Sequence, residues 1–293
     1  MYTIVGNGAV ASLLTAALFQ HKLKYQVILK PEHKASFYQL ACLNAKQLKV
    51  PLPRYDFKEK IDFLILPIKA YQVENTLKQL KNQLEPNATL VLLHNGMGTE
   101  EIVNELLPNA RVILATTTHG AYKPQLNQVN QTGLGETYFG STTEQTANQK
   151  LNELINAWQP AYWSQDISQK LWLKLAINTA INPLTAIYQV KNGELLKADW
   201  RNQLIDIAYE INQAALAKSI HLTQNDILEQ ILTVADKTKD NFSSMNRDVF
   251  YKRKTEIDFI NGYLLNIAAE NQLQLPTIET LYNKVKALEV ETL

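Results

Sequence analysis

The pattern of apolar residues divides the chain into two regions that meet near residue 165. In the first, short β-rich apolar runs alternate with stretches whose apolar residues recur every three or four positions. The predicted strands are 2–5, 25–29, 61–66, 89–93 and 111–117, and the predicted helices include 13–20, 73–84 and 101–107. Strands that alternate with helices form βαβ units, so this region predicts a parallel sheet with helices on both faces.

Two other patterns complete the fold prediction. Glycine-, asparagine- and threonine-rich turns over 121–140 indicate antiparallel hairpins at the end of the sheet. Beyond Asp166 the periodicity is helical over 171–181, 200–219, 223–238, 250–271 and 276–288, with Pro183 expected to end or break the first helix. We therefore predict an α/β protein: a Rossmann-type, doubly wound parallel sheet in residues 1–165, and an all-helical domain in residues 166–293.

Composition fits this division and excludes several classes of function. A chain of 293 residues exceeds the size at which one core usually suffices. The net charge is +1 and no basic block is present, which argues against binding to nucleic acid or to an acidic membrane surface. No apolar run approaches the roughly 20 residues of a membrane span, and the N-terminus lacks the features of a signal peptide.

The single cysteine, Cys42, excludes an internal disulfide and suits a reducing compartment, so we expect a cytoplasmic protein. Cys42 lies in an apolar stretch and is interpreted as a small buried hydrophobe, not as a nucleophile. The five histidines show no metal-ligand spacing, and no metal is expected.

The strongest local motif follows the first predicted strand: Gly6, Asn7, Gly8, Ala9, Val10 and Ala11, a G-x-G-x-x-A turn that opens a helix. The first glycine permits a tight turn, the second lets backbone approach a pyrophosphate, and the small third residue allows close packing. Such a turn can serve packing alone. Its position between a strand and a helix, at the head of βαβ units, favours dinucleotide binding.

The residue after the second strand bears on the choice of cofactor. Lys30 stands there, where an acid would bind the ribose of NAD and a cation accommodates the 2′-phosphate of NADP. We therefore predict NADPH. The alternative is a solvated lysine, and because lysine lacks the bidentate geometry of arginine and Glu32 lies close by, discrimination against NADH could be incomplete.

Two further strands deliver polar residues to the carboxyl edge of the sheet, where ligands bind in such folds. One runs into His94-Asn95-Gly96-Met97-Gly98, and the other into Pro67-Ile68-Lys69. Asn95 either contacts a ligand or only forms a hairpin turn with Gly96. A helical pattern follows it, not a second strand, which favours the contact with a ligand. Lys69 either contacts cofactor phosphate or is solvated. His94 is expected to contact residues of the site without contacting the ligand itself.

Lys174, Asn178 and Asn182 recur every four residues in an otherwise apolar helix and so share one narrow face. We interpret this row as a buried site; the alternative is a polar stripe on a domain surface. Burial lowers the pKa of a lysine, which suits a general acid near neutral pH. Lys174 could then protonate the oxygen of a ketone that receives a hydride, while the asparagines hold neutral substrate oxygens.

These motifs together resemble those of the ketopantoate reductases. The similarity covers residues 1 to about 275 and is carried by Gly6-Asn-Gly8, His94-Asn95-Gly96-Met-Gly, Lys174-xxx-Asn178-xxx-Asn182-Pro-Leu-Thr-Ala, Asn192-Gly-Glu-Leu, Ser243-Ser244-Met and Lys254-Thr-Glu256-Ile-Asp-Phe-Ile-Asn261-Gly. The resemblance implies NADPH-dependent reduction of 2-dehydropantoate to pantoate, a step towards pantothenate and coenzyme A.

The resemblance also implies roles for individual residues. Lys174 would be the general acid, and Glu256 a catalytic-site carboxylate that hydrogen-bonds substrate and also contacts cofactor. The residues that position substrate or nicotinamide would be Asn95, Asn178, Asn182, Asn192 and Ser244. Lys30 stands where the family commonly has arginine, and Ala11 where it often has glycine.

Without the resemblance, Glu256 would be interpreted as a surface carboxylate on a helix, and Ser244 as a helix N-cap. Two rival functions stay open: a related hydroxyacid or opine-type dehydrogenase, and a non-catalytic NADPH sensor that kept the fold. The expected partner is a small 2-keto acid, and the expected assembly is a monomer or a homodimer.

Overall fold

The computed structural model describes residues 1–143 and 146–290. The chain forms two compact units. The first comprises Met1–His94 and Thr99–Ile167, and the second comprises Asn95–Gly98 together with the chain from Ser168 onward. The four residues Asn95–Gly98, which follow a strand of the first unit, therefore belong to the helical unit.

The first unit contains eleven strands and four α-helices among the described residues. The strands are β1 (Tyr2–Val5), β2 (Tyr25–Ile28), β3 (Phe37–Ala41), β4 (Gln47–Pro51), β5 (Ile61–Leu66), β6 (Leu84–Leu93), β7 (Arg111–Thr117), β8 (Gly120–Gln125), β9 (Gln128–Gly133), β10 (Thr137–Gly140) and β11 (Ala161–Trp163). The helices are α1 (Ala9–Gln20), α2 (Val73–Leu80), α3 (Thr99–Leu106) and α4 (Gln149–Ala157).

The main sheet has the order β11-β10-β7-β6-β5-β1-β2, and every neighbouring pair is parallel except β10 and β7. Both faces of its strands are buried. Phe63 and Ile65 pack in a core with residues of α1 and α4, and the alternate residues Leu64 and Leu66 are fully buried too. The predicted parallel sheet, covered on both faces, is confirmed.

A second sheet, of order β4-β3-β9-β8, was not predicted. Strands β8 and β9 form the expected antiparallel hairpin, but they join β3 and β4, and only β10 adds antiparallel pairing to the main sheet. The prediction that the hairpins lie at the end of one sheet is therefore wrong in part. Cys42, directly after β3, is partly exposed and packs against the core.

The second unit is helical, as predicted. Its helices are α5 (Ile167–Tyr188), α6 (Arg201–Ala217), α7 (Gln224–Lys237), α8 (Ser244–Phe250), α9 (Asn261–Asn271) and α10 (Pro276–Val290), with 3-10 turns at Asn192–Leu196, Ala198–Trp200 and Ile257–Phe259. Aliphatic residues of these helices form one core, including Leu184, Ile207 and Leu264. Across the described ranges, no helix is long and apolar enough to cross a membrane.

Pro183 does not end or break α5, which contradicts the prediction. The helix continues to Tyr188 with Pro183 inside it. Proline has no N–H to donate to the carbonyl of Thr179, four residues earlier. The Asn261 side chain supplies a substitute donor, with its Nδ2 3.5 Å from the Thr179 carbonyl oxygen. Asn261 is fully buried, so a donor from another helix replaces the lost backbone bond.

The predicted helix over 250–271 is also wrong, because α8 ends at Phe250 and α9 begins only at Asn261. Lys252 has a positive φ of 54°, which a helix interior does not allow. The segment between the helices is held by side chains of α10, and it carries Glu256.

Candidate active site

In the first unit, the glycine-rich turn joins β1 to α1 at the carboxyl edge of the main sheet. Gly6 has a φ of +82°, and a Cβ there would lie 3.4 Å from the Ile68 side chain. Gly8 is the exposed N-cap of α1, no side chain caps the helix, and its first turn holds no acid. The N–H groups at this helix start therefore suit a bound pyrophosphate.

The sheet order β5-β1-β2 brings the other predicted cofactor residues to the same edge. Lys69 follows β5 and is partly buried, and its backbone N–H lies 3.2 Å from the Gln72 Oε1 that accepts it. Lys30 follows β2 and is exposed, and its carbonyl accepts the N–H of His33 at 3.0 Å. The structure therefore brings Gly6–Ala11, Lys30 and Lys69 together.

Contacts around Asn7 extend this cofactor group beyond the predicted residues. The Ser12 hydroxyl donates to Asn7 Oδ1 at 2.8 Å, and Asn7 Nδ2 lies 3.3 Å from His33 Nε2. The Lys123 ammonium, on β8, donates to the Asn7 carbonyl at 2.7 Å. Neither His33 nor Lys123 was predicted for the site, because they lie 26 and 116 residues from Asn7 and share no motif with it.

In the second unit, α5 carries Lys174, Asn178 and Asn182 on one face, as the spacing requires. Asn182 is buried, with 4% of its surface exposed, and the other two are partly buried. Their neighbours Leu175, Ala176, Ala180 and Ile181 are buried in the helical core. The row is therefore not a solvated surface stripe.

Lys174 has a strongly shifted pKa. Burial lowers this pKa to about 8, and the negative charge of Glu256 partly offsets the effect. Glu256 is itself only 4% exposed, so its interpretation as a surface carboxylate is wrong. Asn95 Nδ2 lies 3.4 Å from Glu256 Oε2, and the Glu256 charge acts on Lys174, so an amide and an ammonium group lie near one buried carboxylate.

Gly96 allows the segment that carries Asn95 to approach the 3-10 turn after Glu256. Its φ is +84°, and a Cβ there would lie 2.4 Å from the Phe259 carbonyl oxygen. The next residue, Met97, donates its N–H to that same oxygen at 2.8 Å. This backbone contact with Phe259 holds Asn95 close to Glu256, and any side chain at residue 96 would separate the two residues.

A second set of contacts holds the backbone on the other side of Glu256. Glu289, on α10, accepts from both the N–H and the hydroxyl of Thr255, each at 2.7 Å. The Thr255 hydroxyl also lies 3.2 Å from the N–H of Ile257. Lys286 bridges Glu289 and Asp258 at 3.0 and 3.1 Å. Glu256 thus lies between Thr255 and Asp258, and side chains of α10 hold both of these residues.

Asn192 and Ser244 differ in how the structure places them. Asn192 is buried and donates to the Thr238 hydroxyl at 2.8 Å, while its Oδ1 has no hydrogen-bond partner among the described residues. Thr238 donates to the Val234 carbonyl, which fixes the orientation of the Asn192 amide. Ser244 is exposed at the first position of α8. The N-cap is Ser243, whose hydroxyl accepts from the Asn246 N–H at 3.0 Å, so the N-cap interpretation of Ser244 is wrong.

His94 contacts the start of α3, where its Nε2 lies 2.7 Å from the Thr99 hydroxyl. Within 1–143 and 146–290, no group of three or more histidine, cysteine, aspartate or glutamate side chains could hold a metal ion. The chemistry available in the second unit is thus that of one desolvated lysine, one buried carboxylate and several amides.

Comparison with known proteins gives matches over both units. The family model described as "Ketopantoate reductase PanE/ApbA" matches residues 2–144, and the model for the C-terminal part of the same family matches residues 166–289. A relative named 2-dehydropantoate 2-reductase, from Vibrio cholerae, is 36% identical over 288 residues, which cover 98% of this chain and 97% of the relative.

Solved structures share the fold over the whole chain. A D-mandelate dehydrogenase with NADH and anilino(oxo)acetate superposes with a TM-score of 0.91 at 24% identity, covering 100% of this chain and 99% of that one. A dimeric ketopantoate reductase from Staphylococcus aureus superposes with a TM-score of 0.84 at 19% identity, covering both chains completely. At these identities the likeness shows the fold alone.

Proposed function

The chain belongs to the ketopantoate reductase family, and on that premise we propose that it reduces 2-dehydropantoate with Lys174 as the proton donor. As a member of this family it is an NADP-dependent oxidoreductase that acts on a CH–OH group. The product, pantoate, is a precursor of pantothenate and coenzyme A in the pathway typical of the family. The observation that carries the proposed mechanism is the buried Lys174–Glu256–Asn95 cluster.

The residues of the first unit fit NADPH. Gly6 has a positive φ and Gly8 is exposed, and no side chain caps the start of α1, so its backbone N–H groups suit a pyrophosphate. Gly6 to Ala11 would hold that group, with Lys69 and Lys30 as cations beside it. When bound, the nicotinamide supplies a hydride, that is, two electrons and one hydrogen nucleus.

Lys174 supplies the proton that completes the reduction. As hydride reaches the keto carbon, the C=O double bond becomes a C–O single bond and negative charge develops on oxygen. The Lys174 ammonium stabilises this charge and transfers one proton to the oxygen, which gives the alcohol and a neutral amine. Water then returns a proton to the amine.

Glu256 helps to set the protonation state of Lys174. The Glu256 carboxylate raises the Lys174 pKa against the larger effect of burial, so the lysine stays protonated at neutral pH. Without that charge, desolvation would push the amine further towards its neutral form, which donates no proton to an alkoxide. We also propose that Glu256 and Asn95 contact the nicotinamide end of the cofactor, as the family resemblance implies.

We assign the remaining amides to the substrate. Asn178 and Asn182 lie on the Lys174 face of α5, and Asn192 presents a buried Oδ1 without a donor. A buried acceptor without a partner is costly, and a ligand hydroxyl would satisfy it. Ser244, exposed at the start of α8, is assigned to the substrate from the family resemblance.

A substrate panel tests the proposal. NADPH oxidation is followed at 340 nm with 2-dehydropantoate, pyruvate, 2-oxoisovalerate and phenylglyoxylate. We expect kcat/KM for 2-dehydropantoate to exceed the others by at least about 10-fold, since buried amides reject a substrate that lacks their hydroxyl partner. Preference for another keto acid would favour the hydroxyacid dehydrogenase alternative, and binding of NADPH without turnover of any keto acid would favour the sensor.

We propose that the enzyme works in the cytoplasm, where NADPH is available and its single Cys42 stays reduced. The expected assembly, a monomer or a homodimer, is tested by sedimentation velocity across a range of protein concentrations. The expectation that the chain binds no nucleic acid rests on its net charge of +1.

A further inference from the structure

Three basic side chains and Lys30 gather where the glycine-rich turn meets the end of β2. Lys123 contacts the Asn7 carbonyl, and His33 contacts the Asn7 side chain. Arg54 pairs with Val27 through an isolated parallel bridge, which places it beside β2. The N–H of His33 bonds the Lys30 carbonyl, so one turn carries both residues.

The charges at this position are not balanced. The groups that act on His33 are Lys123 and Arg54, which are positive, and Glu32, which is the one negative group among them. Burial lowers the pKa of Lys123, whose ammonium donates to the Asn7 carbonyl. An anion beside this half-buried cation would offset the cost of its desolvation.

The geometry around Asn7 leaves donors available for such an anion. Because Asn7 Oδ1 accepts from Ser12, its Nδ2 donates to His33 Nε2, which places the proton of the neutral imidazole on Nδ1. An ammonium has three donors, and one of those of Lys123 is used by Asn7. His33 is 9% exposed, so the surrounding residues hold its imidazole ring in place.

We propose that Lys123 and His33, held against Asn7, form with Lys30 the recognition site for the phosphate monoester at the 2′ position of NADPH. This goes beyond the assignment of Lys30, since it adds a half-buried cation from β8 that contacts the glycine-rich turn itself. It rests on the proposed use of NADPH but not on the identity of the keto acid. It also explains how an exposed lysine, in place of a bidentate arginine, can suffice at the end of β2.

The experiment uses two nucleotides that differ only in the 2′-phosphate. Binding of 2′,5′-ADP and of 5′-AMP is measured by calorimetry at pH 7.5 for the wild type, Lys123→Met, His33→Gln and the control Lys24→Met. Lys24 is an exposed lysine before β2, at the opposite end of that strand. Lys123→Met keeps the apolar stem and removes the charge, and circular dichroism confirms that each variant is folded.

We expect Lys123→Met to weaken 2′,5′-ADP binding about 10-fold or more, since the variant loses a charge-assisted hydrogen bond to the phosphate. The same variant should change 5′-AMP affinity less than about 2-fold, His33→Gln should show a smaller effect in the same direction, and Lys24→Met should match the wild type. Equal weakening of both probes would show that Lys123 only braces the turn, and no weakening of either would also overturn the assignment.

The outcome is separable from that of the proposed function. A protein that discriminates between the probes through Lys123 but reduces no keto acid would contradict the proposed reaction and leave this site standing. Conversely, an enzyme that reduces 2-dehydropantoate with NADH as well as with NADPH, and binds both probes alike, would overturn the site and leave the reaction standing.

Discussion

At the scale of single residues, the account depends on a lysine in an unfavourable environment. The α5 helix places Lys174 among buried aliphatic residues, and burial lowers its pKa from 10.5 to about 8. A surface lysine would hold its proton too tightly to transfer it efficiently at neutral pH, whereas a pKa near the working pH balances protonation against donation.

The pH dependence of the reaction should report this pKa. Lys174 is protonated below about pH 8 and neutral above it, so kcat/KM for reduction of the keto acid should fall roughly tenfold per pH unit above pH 8. Oxidation of the alcohol needs the neutral amine and should instead rise through the same range. Steady-state rates in both directions between pH 6 and 10 test this, and parallel profiles would contradict it.

The sequence predicted this residue because its signal is local. Lys174, Asn178 and Asn182 recur at helical spacing among apolar residues, and this spacing places them on one face as soon as the helix forms. The burial of Glu256 could not be predicted from its own segment, because the groups that hold its neighbours lie on α10, more than 30 residues away. For the same reason Lys123 escaped detection, since only the packing of β8 against the start of α1 brings it to Asn7.

At the scale of elements, the segment between α8 and α9 owes its shape to α10. Glu289 accepts two hydrogen bonds from Thr255, and Lys286 joins Glu289 to Asp258. Tyr282 adds a hydrogen bond to Asp258 at 2.9 Å. The position of the Glu256 carboxylate is therefore set by a helix that supplies no group to the reaction.

We expect Glu289→Gln to lower kcat about 10-fold while leaving KM for NADPH within about 2-fold, because a neutral amide accepts less strongly from Thr255. As a positioning effect, it should also move the alkaline limb of the pH profile to lower pH, since a displaced Glu256 stabilises the Lys174 ammonium less. The control is Glu279→Gln, an exposed site on the same helix. An unchanged limb with lowered stability would show that Glu289 is only structural.

The continuity of α5 through Pro183 has a comparable origin. The sequence correctly placed a helix here but wrongly ended it, because the compensating donor, Asn261, belongs to another helix. Periodicity likewise missed β3 and β4, whose five-residue strands carry few inward side chains. They form a sheet because they pair with each other and because β3 pairs with β9 of a hairpin that is distant in sequence.

A double-mutant cycle isolates the role of Asn261. Asn261→Leu leaves the Thr179 carbonyl buried without a donor and should cost about 1–3 kcal/mol in the free energy of unfolding. In a Pro183→Ala background the alanine N–H can reach that carbonyl, so the same substitution should cost about 1 kcal/mol less. Urea unfolding of the four proteins measures the coupling, and strictly additive losses would refute the compensation.

At the scale of the whole molecule, each unit has its own core and its own set of candidate residues. The first carries the glycine-rich turn, Lys30, Lys69, His33 and Lys123. The second carries Lys174, Glu256 and the amides. Sequence alone predicted the fold class of both units, because short β-rich apolar runs alternate with helical patterns up to the boundary and helical patterns follow it. The segment Asn95–Gly98 could not be assigned in this way, since its backbone contact with Phe259 spans 162 residues.

The proposed mechanism assigns cofactor binding to the first unit and proton transfer to the second. A non-catalytic sensor with the same fold would bind the cofactor but transfer no proton. Only a measurement that separates cofactor binding from proton transfer can distinguish the two.

That measurement is NADPH oxidation at 340 nm with 2-dehydropantoate, comparing the wild type with Lys174→Ala, with NADPH affinity of both proteins determined by fluorescence. We predict rapid oxidation by the wild type, a loss of about 100-fold or more in kcat for the variant, and NADPH affinity unchanged within about 2-fold. Near-normal turnover by Lys174→Ala would contradict the assignment of the proton donor, and with it the central claim.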